Sequence, residues 1–444
     1  TCVCLMAEPM APRDDLVVAY RSGRRYVESF ASAPLDAVPD GVLPRRLRPG
    51  CNYLVTGGLG GMGLELAGYI AASSGANLVL TSRVGLPSRD SWSNYLAQNT
   101  PEDPVSQRIR GVQRLESAGA TVEIGIADVT DLDAMRKVAS EATERYGRID
   151  GVVHAAGIAG EGVIVLKDPA KAAAVLAPKV AGARVIEQLF TDSRLDFLLL
   201  CSSISAVLRL GGQSDYCAAN AYLDAFARDF GARTGIFTVS VNWNRWTETG
   251  MAVEYARCAG RTVAAGDGCT NEEGVELFGR ILHRATESQV LISEIPLAAR
   301  AVGVHDGQAS DEGTAGAAET VVEQDDESAR EGEAAYPRPA LSTEFVPARS
   351  ETELGVAEIW QRLLGIDAVG VHDNFFELGG HSLMATQVVS RIRDRFDVDL
   401  SLREAMQRLT VLELAEEVER LIQFRDEGDY GEPDTTVVYE EGEL

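Results

Sequence analysis

The chain has 444 residues and a formal net charge of −26 at pH 7, with 41 Lys and Arg against 67 Asp and Glu. That acidic balance argues against nucleic acid and anionic membranes as partners, and no apolar run is long enough to span a bilayer. Seven cysteines are scattered, and the one tight pair, Cys2-x-Cys4, has no histidine or second pair beside it, so reduced thiols in a cytoplasmic protein are expected and no metal site.

The length suits two or three domains. No signal peptide is visible, and the first residue is Thr, so the start reads as cut from something longer. From Tyr53 to about Ser293 short apolar runs alternate with helical patterns. Strands are expected at 53–55, 77–80, 122–126, 151–154, 197–200, 239–242 and 290–292. Helices are expected around 63–73, 106–118, 131–146, 171–190, 216–233 and 271–285, with Asp131 and Asn271 as N-caps. Continuously apolar strands between helices predict a doubly wound α/β domain with a parallel Rossmann sheet.

Thr56-Gly57-Gly58-Leu59-Gly60-Gly61-Met62-Gly63 follows the first of these strands and opens a helix. Glycines there let the backbone approach a pyrophosphate whose charge meets the helix N-terminus. The next strand ends Leu80-Thr81-Ser82-Arg83, without the carboxylate that would hold the ribose 2′-hydroxyl of NAD. Ser82 and Arg83 suit a 2′-phosphate instead, which favours NADPH. Asp128, after the third strand, is placed either for the adenine or as a helix-entry residue.

Tyr216 and Asn220 lie four apart at the start of a helix and share a face. Ser203 ends the fifth strand, thirteen positions before Tyr216. That separation resembles the short-chain dehydrogenase/reductase superfamily, in most of which a lysine follows the tyrosine by four. Asn220 in that place resembles the ketoreductase domains of modular polyketide synthases, whose lysine comes from an earlier helix. Lys179, in Leu176-Ala177-Pro178-Lys179-Val180, matches it, as do His154-Ala155-Ala156-Gly157 and Asn242-Trp243-Asn244-Arg245-Trp246. The resemblance implies that Ala155, Ala156 and Gly157 border the cofactor. It also implies that Tyr216 donates the proton, Ser203 holds the substrate oxygen, and Asn220 orients Lys179. The Lys179 ammonium is expected to lower the phenol's pKa. The family's stereochemical markers are absent: Gly160, Glu161 and Gly162 replace Leu-Asp-Asp, and Leu208 stands where a Trp is frequent, with a lean to the L-hydroxy class. Residues 1–50 resemble the end of the structural half of such a ketoreductase, and without the rest of that half they are expected to be loosely held.

Gly307 to Ala340 is Gly, Ala, Ser, Glu and Asp with almost no large apolar residues, which predicts a disordered acidic linker over 301–347. Helical periodicity returns at Glu351, continues past Ser382, shows a short piece at 402–406, and ends in a helix with Val411, Leu414 and Val418. This predicts a small all-α four-helix bundle over 348–424, followed by an acidic tail over 425–444. In Asp373-Asn374-Phe375-Phe376-Glu377-Leu378-Gly379-Gly380-His381-Ser382-Leu383, the serine heads an amphipathic helix where free N–H groups favour a phosphodiester. An ordinary N-capping serine is the plainer reading of that residue alone. The run resembles the attachment site of acyl-carrier domains, which implies 4′-phosphopantetheine on Ser382. Gly-Gly-His-Ser-Leu is closest to carriers of hybrid polyketide/nonribosomal-peptide lines.

The expected whole is a reductase catalytic domain over 51–300, a tether and a carrier. On the resemblance, it reduces a carrier-bound β-ketoacyl thioester with NADPH inside a polyketide synthase. Partners are then the acyl thioester on the carrier, a phosphopantetheinyl transferase, and upstream and downstream modules. Asp373 and Glu377 are expected to meet basic residues of the reductase, with Arg110, Arg114 and Arg209 as candidates. Two rivals are an inactive scaffold with a working carrier and a stand-alone reductase of a diffusible substrate.

Overall fold

The computed structural model describes residues 17–160, 164, 167–208, 213–258, 268–294, 338–339, 341, 343, 345–375, 377–378, 380 and 382–427. It divides into two compact units, each described by itself. The Cys2-x-Cys4 pair, Glu161 and Gly162, Arg209, nearly all of the expected linker and nearly all of the expected tail lie outside the described residues.

The first unit opens on an antiparallel hairpin of β1 (Val18–Arg21) and β2 (Arg24–Val27). Its turn places Ser22 and Gly23 at φ of 49° and 76°, the mirror-image turn that matches strand twist. The hairpin pairs only with itself among the described strands. The stretch that follows is not loosely held throughout, contrary to expectation. Leu47 is buried and joins the main core. Arg46 donates to the carbonyls of Leu282 (3.1 Å) and Ala285 (2.8 Å) and lies over the Phe237 ring, 3.4 Å from its centroid. Arg48 reaches Asp150 at 3.0 Å and also pairs with Asp196. These bonds fasten residues 46–48 to the sheet that comes next.

That sheet has seven strands: β3 (Asn52–Thr56), β4 (Asn77–Ser82), β5 (Thr121–Ile126), β6 (Gly151–His154), β7 (Phe197–Ser203), β8 (Thr238–Trp243) and β9 (Gln289–Leu291). All are parallel, in the order β5-β4-β3-β6-β7-β8-β9. Parallel pairing requires crossovers, and helices supply them. In chain order these are α1 (Gly61–Ser74), α2 (Trp92–Gln98), α3 (Pro104–Ser117), α4 (Leu132–Tyr146), α5 (Pro169–Phe190), α6 (Ser205–Leu208), α7 (Ser214–Thr234), α8 (Met251–Cys258) and α9 (Asn271–Arg284).

Successive strand residues face opposite sides, so each strand feeds two cores. Tyr53, Val55, Leu78 and Leu80 pack with Ile70, Ile109 and Phe278 of α1, α3 and α9. Leu54, Val79 and Leu198 pack with Met135, Ile186 and Leu223 of α4, α5 and α7. The doubly wound α/β fold is as the sequence predicts. Asp131 caps α4 as expected, accepting from the amides of Asp133 and Ala134. At α9 the cap is Thr270 rather than Asn271, because Glu273 completes a capping box with Thr270.

The second unit is the predicted four-helix bundle: α10 (Glu351–Leu364), α11 (Ser382–Phe396), α12 (Leu402–Met406) and α13 (Val411–Glu427). Trp360 packs edge-on against Phe375 with centroids 4.9 Å apart, inside a core of Val388, Ile392, Leu414 and Val418. Two expectations fail here. Asp373 is fully buried and cannot meet a partner. Its carboxylate accepts from Arg338 at 2.6 and 2.7 Å and from the Gly370 amide at 2.7 Å. Arg338, assigned by composition to the tether, is therefore bound to the four-helix unit, and Leu341 and Val346 pack on the same core. Of the basic candidates, Arg114 pairs with Glu65 at 3.1 Å.

The Arg338 guanidinium and the Gly370 amide hold Asp373 below the usual carboxylate range despite burial, which pushes the other way. A depressed acid contributes stability above its unfolded value, about 3.9, and loses it as pH falls through the folded value. Arg338→Ala strands a buried charge, so the carrier transition in denaturant melts at pH 7 should lose about 3–5 kcal/mol. The deficit relative to wild type should shrink as pH falls below about 4.

Candidate active site

Strand order reverses between β3 and β6, both flanking the same crevice at their carboxyl ends, with Thr56 opposite His154. Ligands of open α/β sheets bind at such a switch point. The chain leaves β3 through Gly57, whose φ of +67° only glycine adopts readily. A Cβ there would also lie 2.9 Å from the Ala156 backbone. Helix α1 then starts with Gly60 as cap, with no side-chain cap bond and no acid in its first turn. Its leading N–H groups are thus left by the protein's side chains, a cradle that fits a pyrophosphate.

The glycine-run residues divide by what they touch. Gly60 is exposed, and Gly57, Gly61 and Met62 are half-buried around the turn. Gly58 and Gly63 are packing glycines: added Cβ atoms would meet Leu80 Cβ at 2.9 Å and the Gly57 carbonyl at 2.4 Å. Thr56 is fully buried, with its hydroxyl 2.7 Å from His154 Nδ1, so it ties β3 to β6 rather than facing the crevice. Ser82 and Arg83 end β4 as expected, with Arg83 exposed. Asp128 accepts from the amide (2.9 Å) and hydroxyl (2.7 Å) of Thr130, in the loop that leads to the Asp131 cap of α4. Those bonds, with help from Arg83, hold its carboxyl below the usual value.

Lys179, on α5 directly after Pro178, is 3% exposed. Its ammonium donates to the Cys201 carbonyl at 2.7 Å, linking α5 to β7. Burial lowers its pKa to about 8, with Asp224 pulling the other way. Room for the side chain comes from Gly157, where a Cβ would sit 3.2 Å from Lys179 Cε. Ala155 and Ala156 precede it, and the Ala155 amide donates to the Thr56 carbonyl at 3.0 Å. His154 is buried and its pKa falls to about 3, through burial and then the Lys179 charge, so it is neutral at physiological pH.

Ser203 closes β7, and Tyr216 and Asn220 sit in the first two turns of α7. Ser203 Oγ accepts from the amide (3.2 Å) and hydroxyl (2.9 Å) of Ser205, which leaves its own proton to donate. The Asn220 amide donates to the Tyr216 carbonyl at 2.8 Å. The Tyr216 phenol is raised by burial and pulled back by the Ser203 and Asn220 side chains. The expected fall of this pKa is therefore not what the protein produces, because desolvation outweighs the surrounding donors. Ser203, Tyr216 and Asn220 come together, and Lys179 is held on the Cys201 carbonyl, two residues before Ser203. Sequence reasoning missed Asp224, one turn beyond Asn220 on the same face; the 216-220-224 spacing was the available signal. The Ser382 backbone opens α11, and Gly380 ahead of it is required by packing, since a Cβ would lie 2.5 Å from the Phe375 ring.

Residues 51–248 match the KR domain family, and residues 355–418 match the phosphopantetheine attachment site family. The chain carries a KR domain and, after it, a carrier domain. One phenolphthiocerol/phthiocerol polyketide synthase polypeptide of Mycobacterium tuberculosis is 29% identical over 425 residues, 92% of this chain and 20% of that protein. The 5-methyl-1-naphthoate synthase of Streptomyces sahachiroi is 36% identical over 219 residues, 49% of this chain and 11% of the relative. The chain thus spans between a tenth and a fifth of these relatives' length. Among solved structures, a ketoreductase domain from the bacillaene assembly line has 29% identity and a TM-score of 0.51 over 65% of this chain and 64% of its own. An A1-type ketoreductase has 28% identity and a TM-score of 0.53 over 65% and 55%.

Because Lys179 is depressed, the unfolded chain binds more protons between pH 8 and about 10.4. Its burial therefore costs most below pH 8, and the cost disappears as pH rises through that window. Lys179→Met is expected to be more stable than wild type at pH 7, by on the order of 1–3 kcal/mol. Paired urea melts should show the gap closing by pH 10.

Proposed function

We propose that the chain reduces a carrier-bound β-ketoacyl thioester to the β-hydroxyacyl thioester within a polyketide synthase, using NADPH. The observation that carries this reading is the gathering of Ser203, Tyr216, Asn220 and Lys179 beside the glycine turn, on a chain that also bears a carrier domain. The nicotinamide supplies the hydride when bound. Gly61 and Met62, in the first turn of α1, offer their amides to the pyrophosphate, and Ser82 and Arg83 suit a 2′-phosphate.

Tyr216 donates the proton that quenches the developing alkoxide at the substrate oxygen. A phenol raised by burial stays protonated through neutral pH, as an acid in this step must. Ser203, with both acceptor positions taken by Ser205, donates its hydroxyl proton to the substrate carbonyl and aligns it with Tyr216. Lys179 keeps positive charge behind the phenol and stabilises the phenolate left after transfer. Ser382 carries the phosphopantetheine arm, and tethering raises the effective substrate concentration to roughly millimolar.

An inactive scaffold is not favoured, since Tyr216, Ser203, Lys179 and the glycine run are all present. A stand-alone reductase of a diffusible substrate leaves the carrier domain without a role.

NADPH oxidation with a β-ketoacyl N-acetylcysteamine thioester should be catalysed by the full chain and fall at least a hundredfold in Tyr216→Phe. Turnover unaffected by that change would remove Tyr216 as the acid. The rate should hold steady at neutral pH and decline above pH 8 as Lys179 loses its proton. Arg83→Ala should raise KM for NADPH about tenfold and leave the value for NADH nearly unchanged. Incubation with coenzyme A and a phosphopantetheinyl transferase should add one phosphopantetheine to the chain and none to Ser382→Ala, read by intact mass.

A further inference from the structure

Helix α7 presents three polar side chains on one face: Tyr216, Asn220 and Asp224, at successive i, i+4 positions. The first two belong to the site above. The third does not reach the crevice, since Asp224 is only 7% exposed and points into the sheet. A carboxylate that deep requires partners. One oxygen accepts from Ser240 Oγ at 2.6 Å and the other from Asn242 Nδ2 at 2.8 Å, both from β8.

Asn242 passes the link on. The same Nδ2 lies 3.1 Å from Ser202 Oγ and 3.1 Å from the Ser203 carbonyl, at the end of β7. Its Oδ1 accepts from Gln289 of β9 at 3.1 Å. Ser202 Oγ donates to the Asn220 carbonyl at 3.2 Å, which closes a loop back to α7. Asp224, Ser240, Asn242 and Ser202 thus join the strand end that bears Ser203 to the helix turn that bears Asn220, and all four are buried.

The strand end that this network holds also anchors Lys179, which donates to the Cys201 carbonyl one residue before Ser202. The titratable groups that act on Lys179 or feel its charge are His154 of β6, Cys201 of β7 and Asp224 of α7. His154 is neutral at physiological pH, and burial drives the Cys201 thiol up to about 11. Burial also raises the Asp224 carboxyl above its usual value, and Ser240, Asn242, Ser202 and the Lys179 charge pull it back only in part.

We propose that Asp224 is the positioning residue of this site. Through Ser240, Asn242 and Ser202 it fixes the backbone that carries Ser203 and Asn220. The proposal rests on the reading of Ser203, Tyr216, Asn220 and Lys179 as the reducing site.

The test separates positioning of the reacting groups from cofactor binding. In Asp224→Asn kcat at pH 7 should drop roughly tenfold, and KM for NADPH should stay put. An unaltered kcat, or a KM for NADPH that rises as kcat falls, overturns the proposal. Tyr216→Phe, measured in parallel, separates the two readings: wild-type rates there bring down the reducing site itself, whereas a dead Tyr216→Phe beside a wild-type Asp224→Asn brings down only this inference. Should Asp224→Asn fail to fold, Asn242→Ala keeps the carboxylate and cuts its link to Ser202 and Ser203. It should lower kcat about tenfold, and an unaltered kcat overturns the proposal.

Discussion

A single ammonium group in the interior sets the terms for the rest of the catalytic unit. Lys179 is taken out of water, which is unfavourable for a cation, and the surrounding chain is arranged to make that tolerable. Glycine at 157 gives the arm its space, and the Cys201 carbonyl accepts one hydrogen bond from the ammonium. Helix α5 contains a proline just before it, a residue without an N–H, which frees a carbonyl of the preceding turn from helical pairing. Around this fixed charge burial keeps a histidine and a thiol neutral and a phenol protonated, and it raises a carboxyl above its usual value.

The two ends of the crevice are built differently. At the glycine turn the protein works by subtraction: no side-chain cap, no acid in the first turn, and a backbone that only glycine follows with ease. At the end of β7 it works by accumulation, with Ser202, Ser203, Ser205, Asn220 and Asn242 bonded to one another or to nearby backbone. In the proposed reaction an anion meets the first end and a developing alkoxide the second. Rigid hydrogen-bond networks suit the latter, because a reacting carbonyl must be held within a fraction of an ångström.

What the sequence reveals is local. Apolar runs separated by amphipathic stretches predict the strands and helices, and the strand-turn-helix context of the glycine run predicts the crevice. The four-residue spacing of Tyr216 and Asn220 places both on one face. Contacts between distant segments are not legible in this way. Nothing near Asp373 announces that Arg338 will bury it, and composition assigns that arginine to the tether. Thr56 reads as a cofactor residue because its neighbours are glycines, yet His154, 98 positions on, takes its hydroxyl. The phenol's pKa is expected to fall only when the lysine charge is weighed without the desolvation of Tyr216, a quantity that the folded packing alone supplies. Asp224 stays hidden for a plainer reason: one aspartate in a long helix looks like any solvated acid until the sheet behind it is known.

The Arg338–Asp373 pair bears on where such a polypeptide can be divided. Swapping carriers between assembly lines invites a cut just ahead of α10, since Ser350 and Glu353 mark a clean helix start. A carrier trimmed there would keep its four helices and Ser382 but leave behind the only guanidinium that the described residues place on Asp373. The graft would inherit a buried anion without its cation, and a donor linker joined at that point would have to supply one. The sensible seam lies upstream of Arg338, inside what composition alone would treat as interchangeable spacer.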